Sequence, residues 1–478
     1  MWALCATELG SGYLAAQFTP SDVIESVLER LLEVNPLVNA VVTTDADGAR
    51  RAAAESTIRH KAGKPLSALD GVPITVKDNL LVKGMRSTWG SHLFANHIPE
   101  VDELPIARLR QAGSIILGKT NCPEFTLQGY TDNPLFGPTR NPWNLALTPG
   151  GSSGGAASAV AVGMGPLAIG TDGGGSIRRP ASHTGLIGLK PSRGRVPRSD
   201  GFPQILLEFE TVGPIARSVA DVKLVMDILA PFDPRDPASA PFRNLPFRSE
   251  QKQTCRILFV PQFGNAPVDP EIAAAVAQAA ERLRELGHHV ETGAAPFDVS
   301  HVEKAWPIVS QAGLAWLSSL FVRFPLDASS TMQNLAQGGS RLSAADYIGA
   351  MSCIKQMERQ LTLAFEVYDL ILTPSAAALP WKAEEPFPNE IAGQAVAPRG
   401  HAVFTAFVNL TGSAAINLPC GQSRSGLPIG LQLVSRPGDD GLLIGTASQC
   451  EAANLWQITP VDRIPALMNI SAGVKIDQ

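Results

Sequence analysis

The chain lacks the patterns that announce metal, disulfide or membrane chemistry. Its six cysteines (Cys5, Cys122, Cys255, Cys353, Cys420 and Cys450) are scattered and form no CxxC pair, which argues against a disulfide framework and against a zinc site. The eight histidines show no HExxH or similar spacing, so no metal and no cofactor are expected. No apolar run has transmembrane length, and the N-terminus has no basic stretch followed by an apolar one. No signal peptide and no membrane partner are expected, and the cytoplasm is the expected compartment. A net charge of -5 leaves no basic footprint for nucleic acid. Charged residues are only 17% against 45% hydrophobic, which suits a compact enzyme rather than a disordered chain. There is no internal repeat and no obvious long linker.

What the chain does have is a concentration of glycine and serine at 148–178, TPGGSSGGAASAVAVGMGPLAIGTDGGGSIR. Glycine lets backbone N–H groups approach a ligand closely. Serines held in such loops can be catalytic hydroxyls, with neighbouring N–H groups stabilising an oxyanion. A flexible loop is the usual fate of such a cluster, but apolar segments bracket both loops tightly.

Periodicity places these loops among alternating strands and helices. Thr19-Pro20 with Asp22 opens a helix that Asn35-Pro36 should stop. Val38–Thr43 reads as a strand and Asp45–His60 as a polar helix. Val72–Val76 is an apolar strand that delivers Lys77, Ser114–Leu117 a buried strand, Ala156–Val162 a helix and Leu167–Ile169 a strand. Ser218–Leu229 is amphipathic, and the Pro-rich 231–253 reads as an exposed connection. Pro270–Leu286 is helical, as is most of 300–366, with an interruption near Phe324–Leu342. Strands recur at 256–260, 289–292, 370–372, 415–418 and 429–434. The expected fold is α/β: one large domain over 1–478 with a central mixed, mostly parallel β-sheet flanked by α-helices on both sides. Within it, the N-terminal helical segment covers about 1–65, the Gly/Ser-rich core about 70–220 and a helical pocket-lining insert about 300–366.

Three motifs mislead. GSIILGKT at 113–120 fits the P-loop pattern, but Ile115–Leu117 fill the would-be phosphate loop. Lys119 therefore reads as a surface or structural lysine whose replacement by Ala should be nearly silent. GGSSGG fits the nucleophile elbow of α/β-hydrolases at Ser152 and at Ser153, but Leu147–Gly150 is a poor strand end. Asp369 and His401 are the nearest candidates for a triad, with nothing around them to suggest one. Ser249–Lys252 fits SxxK but sits in the polar connection and reads as solvated chain.

GGSSGG at 150–155, GTDGGGSIRRPAS at 170–182 and GLIGLKPSRGRV at 185–196 resemble the signature region of the amidase signature family. GVPITVKDN at 71–79 resembles its lysine motif, and 109–125 and 136–144 its spacers. ILTPSAAALP at 371–380, NLTGSAAINLPCG at 409–421 and GLPIGLQLVSRPGDD at 426–440 fit its C-terminal half. The resemblance implies an amidase with a Ser-Ser-Lys triad. Ser176 would be the nucleophile, and Ser152 would relay its proton to a neutral Lys77. Burial would lower the Lys77 pKa. It implies a cis Gly151–Ser152 peptide and an oxyanion hole of the backbone N–H groups of Gly173, Gly174, Gly175 and Ser176. The family often carries a bulkier residue at 173. Glycine there leaves open whether the acyl pocket is widened.

Ser153 should support Ser152 by hydrogen bonding, and Asp172 and Arg178 should hold the loop from beneath. Gln128, Tyr130 and Thr131 are candidate substrate contacts, in a pocket also expected to draw on 306–324 and 386–401. Trp306, Trp316, Phe321 and Phe324 are read as core before substrate contacts. The expected substrate is a small-molecule amide, with a homodimer left open. A stand-alone amidase is the leading reading, because PRSDGFPQILLEFETVGP at 197–214 is unlike the wording associated with the amidotransferase A subunit of a tRNA-dependent complex. That protein, which takes ammonia from glutamine, is the alternative.

Overall fold

The computed structural model describes residues 1–250 and 252–456; the remainder of the expected domain, 457–478, lies outside them. Its strands in chain order are β1 (Val41–Thr44), β2 (Pro73–Lys77), β3 (Ile115–Thr120), β4 (Leu167–Asp172), β5 (Ile187–Lys190), β6 (Thr211–Ala216), β7 (Arg256–Phe259), β8 (His289–Thr292), β9 (Leu370–Pro374), β10 (Glu390–Ile391), β11 (Gln394–Ala395), β12 (Ala414–Gln422) and β13 (Pro428–Ser435). The helices are α1 (Ala6–Leu14), α2 (Pro20–Val38), α3 (Ala46–Lys61), α4 (Leu104–Gln111), α5 (Gly154–Ala161), α6 (Arg178–Thr184), α7 (Val219–Leu229), α8 (Pro270–Glu285), α9 (Ser300–Leu320), α10 (Phe324–Asp327), α11 (Ser330–Ser340), α12 (Ala344–Val367), α13 (Ala406–Leu410) and α14 (Asp440–Ala452).

Eleven strands form one sheet in the order β1-β3-β2-β4-β6-β5-β12-β13-β9-β7-β8, and β10 and β11 pair separately. The sheet is mixed and flanked by helices, as expected. Its parallel character is smaller than expected: six of the ten strand pairs are antiparallel and four parallel. Parallel pairing is confined to β3-β2-β4 and β9-β7-β8, where helices supply the crossovers. Only a single 3-10 turn, Leu207–Phe209, lies between β5 and β6, and five residues separate β12 from β13, so these neighbours pair antiparallel.

Alternation along each strand assigns its two faces. Leu167 and Ile169 of β4, Leu370 and Leu372 of β9, and Leu431 and Leu433 of β13 share a core with α4, α7, α8 and α14. Ala168 points the opposite way, toward α2, α5 and α6. Ile371 and Val434 do likewise, into an aromatic cluster with α9 and α12. Ile74 and Val76 belong to the first core, which turns Thr75 and Lys77 toward the side where α5 packs.

Thr19 and Asp22 cap α2 reciprocally, with Thr19 N donating to Asp22 at 2.8 Å and Asp22 N to Thr19 at 3.2 Å. The helix runs past Asn35-Pro36 to Val38, because the turn is made later by Asn39 at φ 47°. Asn35 instead accepts from Ala40 N at 3.0 Å and Val41 N at 2.8 Å, tying the helix end to β1. The interruption expected at 324–342 contains α10 and α11, and α11 is capped by Ser329. The 231–253 connection is not wholly exposed. Ser239 and Phe242 are buried, and the Arg195 guanidinium lies 4.0 Å above the Phe242 ring. Among the four aromatics weighed as core, Trp306 and Phe324 are buried, whereas Trp316 is 46% exposed. Trp316 therefore lies largely at the surface.

Candidate active site

Three loops converge at the end of β2 and β4. Lys77 closes β2 and is wholly buried. Its Nζ donates to Ser152 Oγ at 2.7 Å, to Thr171 Oγ1 at 2.9 Å and to Thr171 O at 3.3 Å. Burial is the main cause that lowers its pKa to about 8, opposed by the field of Glu210. Glu210 itself is claimed by Arg198 at 3.0 Å, and Lys77 makes no ion pair among the described residues.

The GGSSGG loop leads into α5 and carries the expected cis peptide between Gly151 and Ser152. A Cβ at Gly151 would lie 2.5 Å from the Tyr130 carbonyl oxygen, so only glycine lets the two backbones approach. Ser153 does not bond Ser152. Its Oγ donates to Thr171 O at 3.1 Å, and its N–H to Ser176 O at 3.1 Å, which stitches the two glycine-rich loops together. Thr131 is also reassigned. It is fully buried, donates to Gly150 O at 2.8 Å and accepts from Gly154 N at 3.1 Å, so it clamps the loop and has no face left for substrate. Gln128 and Tyr130 stay partly exposed nearby.

Asp172 and Arg178 lie beneath the second loop as expected. They form a buried two-point ion pair, Nη2 to Oδ1 at 2.8 Å and Nε to Oδ2 at 3.0 Å. Asp172 also accepts from Gly175 N at 2.7 Å and Ile177 N at 3.0 Å. Although burial opposes ionisation, the Arg178 charge and these donors hold its carboxyl far below the usual range. Gly175 therefore leaves the set of oxyanion donors, since its N–H is already committed. Its φ of 112° and its contact with Thr405 explain the glycine instead. The N–H groups of Gly173, Gly174 and Ser176 have no acceptor among the described residues. Ser176 is 6% exposed, whereas Ser152 is sealed. No hydrogen bond links Ser152 Oγ to Ser176 Oγ, a contact of the kind that commonly tightens only around substrate. At Gly173 a Cβ would meet Leu206 Cδ1 at 2.5 Å, so Leu206 occupies the space a bulkier residue would take.

Lys119 is a structural lysine, not an exposed one. It is fully buried and donates to Leu80 O at 2.6 Å and Ser87 Oγ at 2.7 Å, with Asp78 Oδ1 at 3.4 Å. Removing it strands a buried carboxylate one residue from Lys77. Lys119→Ala should cost about 3–5 kcal/mol of stability, read as a lowered denaturation midpoint in urea; an unchanged midpoint would refute this account. No Ser-His-Asp triad forms among the described residues either. Asp369 pairs with Lys252 at 2.7 Å, the lysine of the SxxK pattern, of which Gln251 lies outside the described residues. His401 packs against Trp381, with ring centroids 4.7 Å apart and the planes tilted by 56°.

The sequence reading missed Thr171, Asn79 and Thr405. Asn79 donates to Thr171 Oγ1 at 3.0 Å, and Thr405 donates to Gly174 O at 2.7 Å. Asn79, two residues past Lys77, had a signal in its spacing; Thr405 had none. It also missed Arg179 and Arg399, which border the same two loops. Trp306 of α9 stands beside the second loop: a Cβ on Gly174 would meet its ring at 2.9 Å.

A family model described as Amidase matches residues 22–444. The chain is 33% identical over 475 residues to an acylamidase of Rhodococcus erythropolis, covering 97% of each. It is 34% identical over 477 residues to the A subunit of the glutamyl-tRNA(Gln) amidotransferase of Moorella thermoacetica, covering 94% of this chain and 96% of that one. The crystal structure of a bacterial aryl acylamidase of the amidase signature family matches with a TM-score of 0.87 and 30% identity, covering 97% of this chain and 98% of that one.

Proposed function

The chain belongs to the amidase signature family, and on that premise we propose that it is a stand-alone amidase that hydrolyses a carboxamide or anilide-like C–N bond through an acyl-enzyme on Ser176. The observation that carries this reading is the 2.7 Å bond from a sealed Lys77, free of any ion pair among the described residues, to Ser152. A serine is a weak nucleophile until a base takes its proton. Ser176 Oγ attacks the carbonyl carbon while its proton passes to Ser152, whose own proton passes to neutral Lys77. The oxyanion is met by the N–H groups of Gly173, Gly174 and Ser176. The C–N bond then breaks as Ser152 returns a proton to the leaving amine. Water repeats the sequence on the ester, releasing the carboxylate and restoring Ser176. No membrane-spanning helix occurs among the described residues. The six thiols are unpaired, in keeping with a cytoplasmic setting.

The amidotransferase relative at 34% identity supports a second reading, ammonia release from glutamine with partner chains. A panel of aliphatic amides and anilides given to the isolated chain separates the two. Turnover is expected without any partner; glutaminase activity that appears only when partner chains are added would overturn the stand-alone reading.

The same base sets the pH profile. With Lys77 at about 8, about a tenth of the enzyme is competent at pH 7. The kcat/KM for a neutral amide should rise through pH 8 and level off above it. Stability should move the same way. The folded pKa lies below the unfolded one, so the cost of burying the cation is present below pH 8 and is relieved as pH rises toward the ordinary lysine value of 10.5. A profile flat from pH 6 to 9, with the protein shown to be folded, would refute a lysine base. Chelators should leave the rate unchanged.

A further inference from the structure

Two arginines stand against the catalytic loops with no acid to pair with. Arg179 is 2% exposed. Its Nη2 donates to Gly151 O at 3.2 Å, while Nε and Nη1 are buried without an acceptor among the described residues. Arg399 comes from the other side of the site. It lies 4.7 Å over the Trp306 ring, its Nη2 would sit 3.3 Å from a Cβ on Gly174, and that Nη2 too is buried without an acceptor. The rest of the Arg399 side chain is partly exposed. Among the described residues neither arginine makes an ion pair, and the acid whose field reaches Arg179 is Asp172, already held by Arg178. His183 and His401 add no negative charge, and burial holds both well below the usual imidazole value.

An unpaired buried donor loses several kcal/mol of solvation, and an unpaired buried guanidinium loses more. A buried donor left unmatched in a native protein calls for an explanation, such as an ordered water, an ion or a ligand. A guanidinium presents a planar fork of donors that matches a carboxylate. Both forks border Gly151 and Gly174, which flank Ser152 and Ser176. An anion that paired with them would therefore sit beside the two serine loops.

Resting on the amidase reading above, we propose that the substrate is an amide bearing a carboxylate close to the scissile bond, and that Arg179 and Arg399 receive that carboxylate. Such a substrate is a half-amide of a short dicarboxylic acid or an N-acyl amino acid, according to which half carries the charge. An α-amino acid amide would also bring an ammonium group, for which this cluster of cations has no partner.

The test compares kcat/KM within matched pairs on the purified full chain. Succinamate is set against succinamide for charge on the acyl half, and N-acetyl-β-alanine against its amide for charge on the amine half. At least one charged member should be preferred by about 10- to 100-fold, the size of one or two charge-assisted contacts. In Arg399→Met that ratio should fall about tenfold or more, whatever happens to the absolute rates. Arg179→Met should lower it further; should that buried change unfold the chain, the wild-type ratio and Arg399→Met decide. Raised salt should weaken the preference in parallel. Equal kcat/KM within both pairs, or a ratio that Arg399→Met leaves intact, overturns the carboxylate assignment while leaving an active amidase. Absence of turnover on every amide, charged or neutral, overturns the amidase reading itself.

Discussion

Ser176→Ala should abolish amide turnover, lowering kcat by about 10⁴-fold or more, with circular dichroism and the urea midpoint close to those of the parent. Of the three side chains in the proposed relay, Ser176 is the one with an exposed edge, at 6%. Its hydroxyl makes no hydrogen bond to either neighbour in the relay, so the fold does not lean on it. The loop stays in place through groups that the substitution keeps, the Ser176 carbonyl that accepts from Ser153 and the Asp172 carboxylate that accepts from Gly175 and Ile177. Stopped-flow mixing with an anilide followed by mass spectrometry should trap an acyl group on the parent peptide containing Ser176. Near-native kcat in the variant, or an acyl group trapped on Ser152 or Ser153, would refute the assignment.

Lys77→Ala and Ser152→Ala should each lower kcat by about 10³- to 10⁵-fold, and the double variant should be little worse than either. The two side chains are joined by a 2.7 Å bond, so in the proposed relay removing one leaves the other without a task. Independent losses that multiply would show two separate contributions and break the relay. Lys77→Ala also removes a buried amine whose cost is present below pH 8. The variant should therefore hold its urea midpoint better than Lys119→Ala, which leaves Asp78 unpaired.

Much of the site could be read from the sequence because its parts are short and local. A lysine at the end of an apolar strand and two serines in glycine-rich loops are each fixed by a few neighbouring residues. What could not be read depends on contacts between distant segments. Thr131 looked like a substrate contact until the fold brought its hydroxyl between Gly150 and Gly154. Lys119 looked expendable because Asp78, its partner, lies on the loop after another strand. Gly175 looked like a donor because nothing local says that Asp172 takes its N–H. Arg179 and Arg399 are 220 residues apart, and no spacing rule joins them. The sheet shows the same division. Single strands were found within a few residues, while the antiparallel centre follows from short connections that a reading of alternating elements passes over.

The Asp172–Arg178 pair carries one more consequence, in time rather than in space. Arg178 also donates to Gln432 at 2.8 Å, Asn409 at 2.7 Å and the Thr405 carbonyl at 3.1 Å, and Asn409 returns a bond to the Asp172 carbonyl at 2.7 Å. Gln432 is translated 254 residues after Arg178, which at about 5–20 residues per second is a delay of roughly 13–50 s. A nascent chain of about 220 residues already holds Lys77, Ser152 and Ser176, together with the bonds from Gly175, Ile177 and Arg178 to Asp172, but it lacks the partners at 405, 409 and 432 that complete the Arg178 contacts. The support beneath the second loop is therefore complete only once residue 432 has been made.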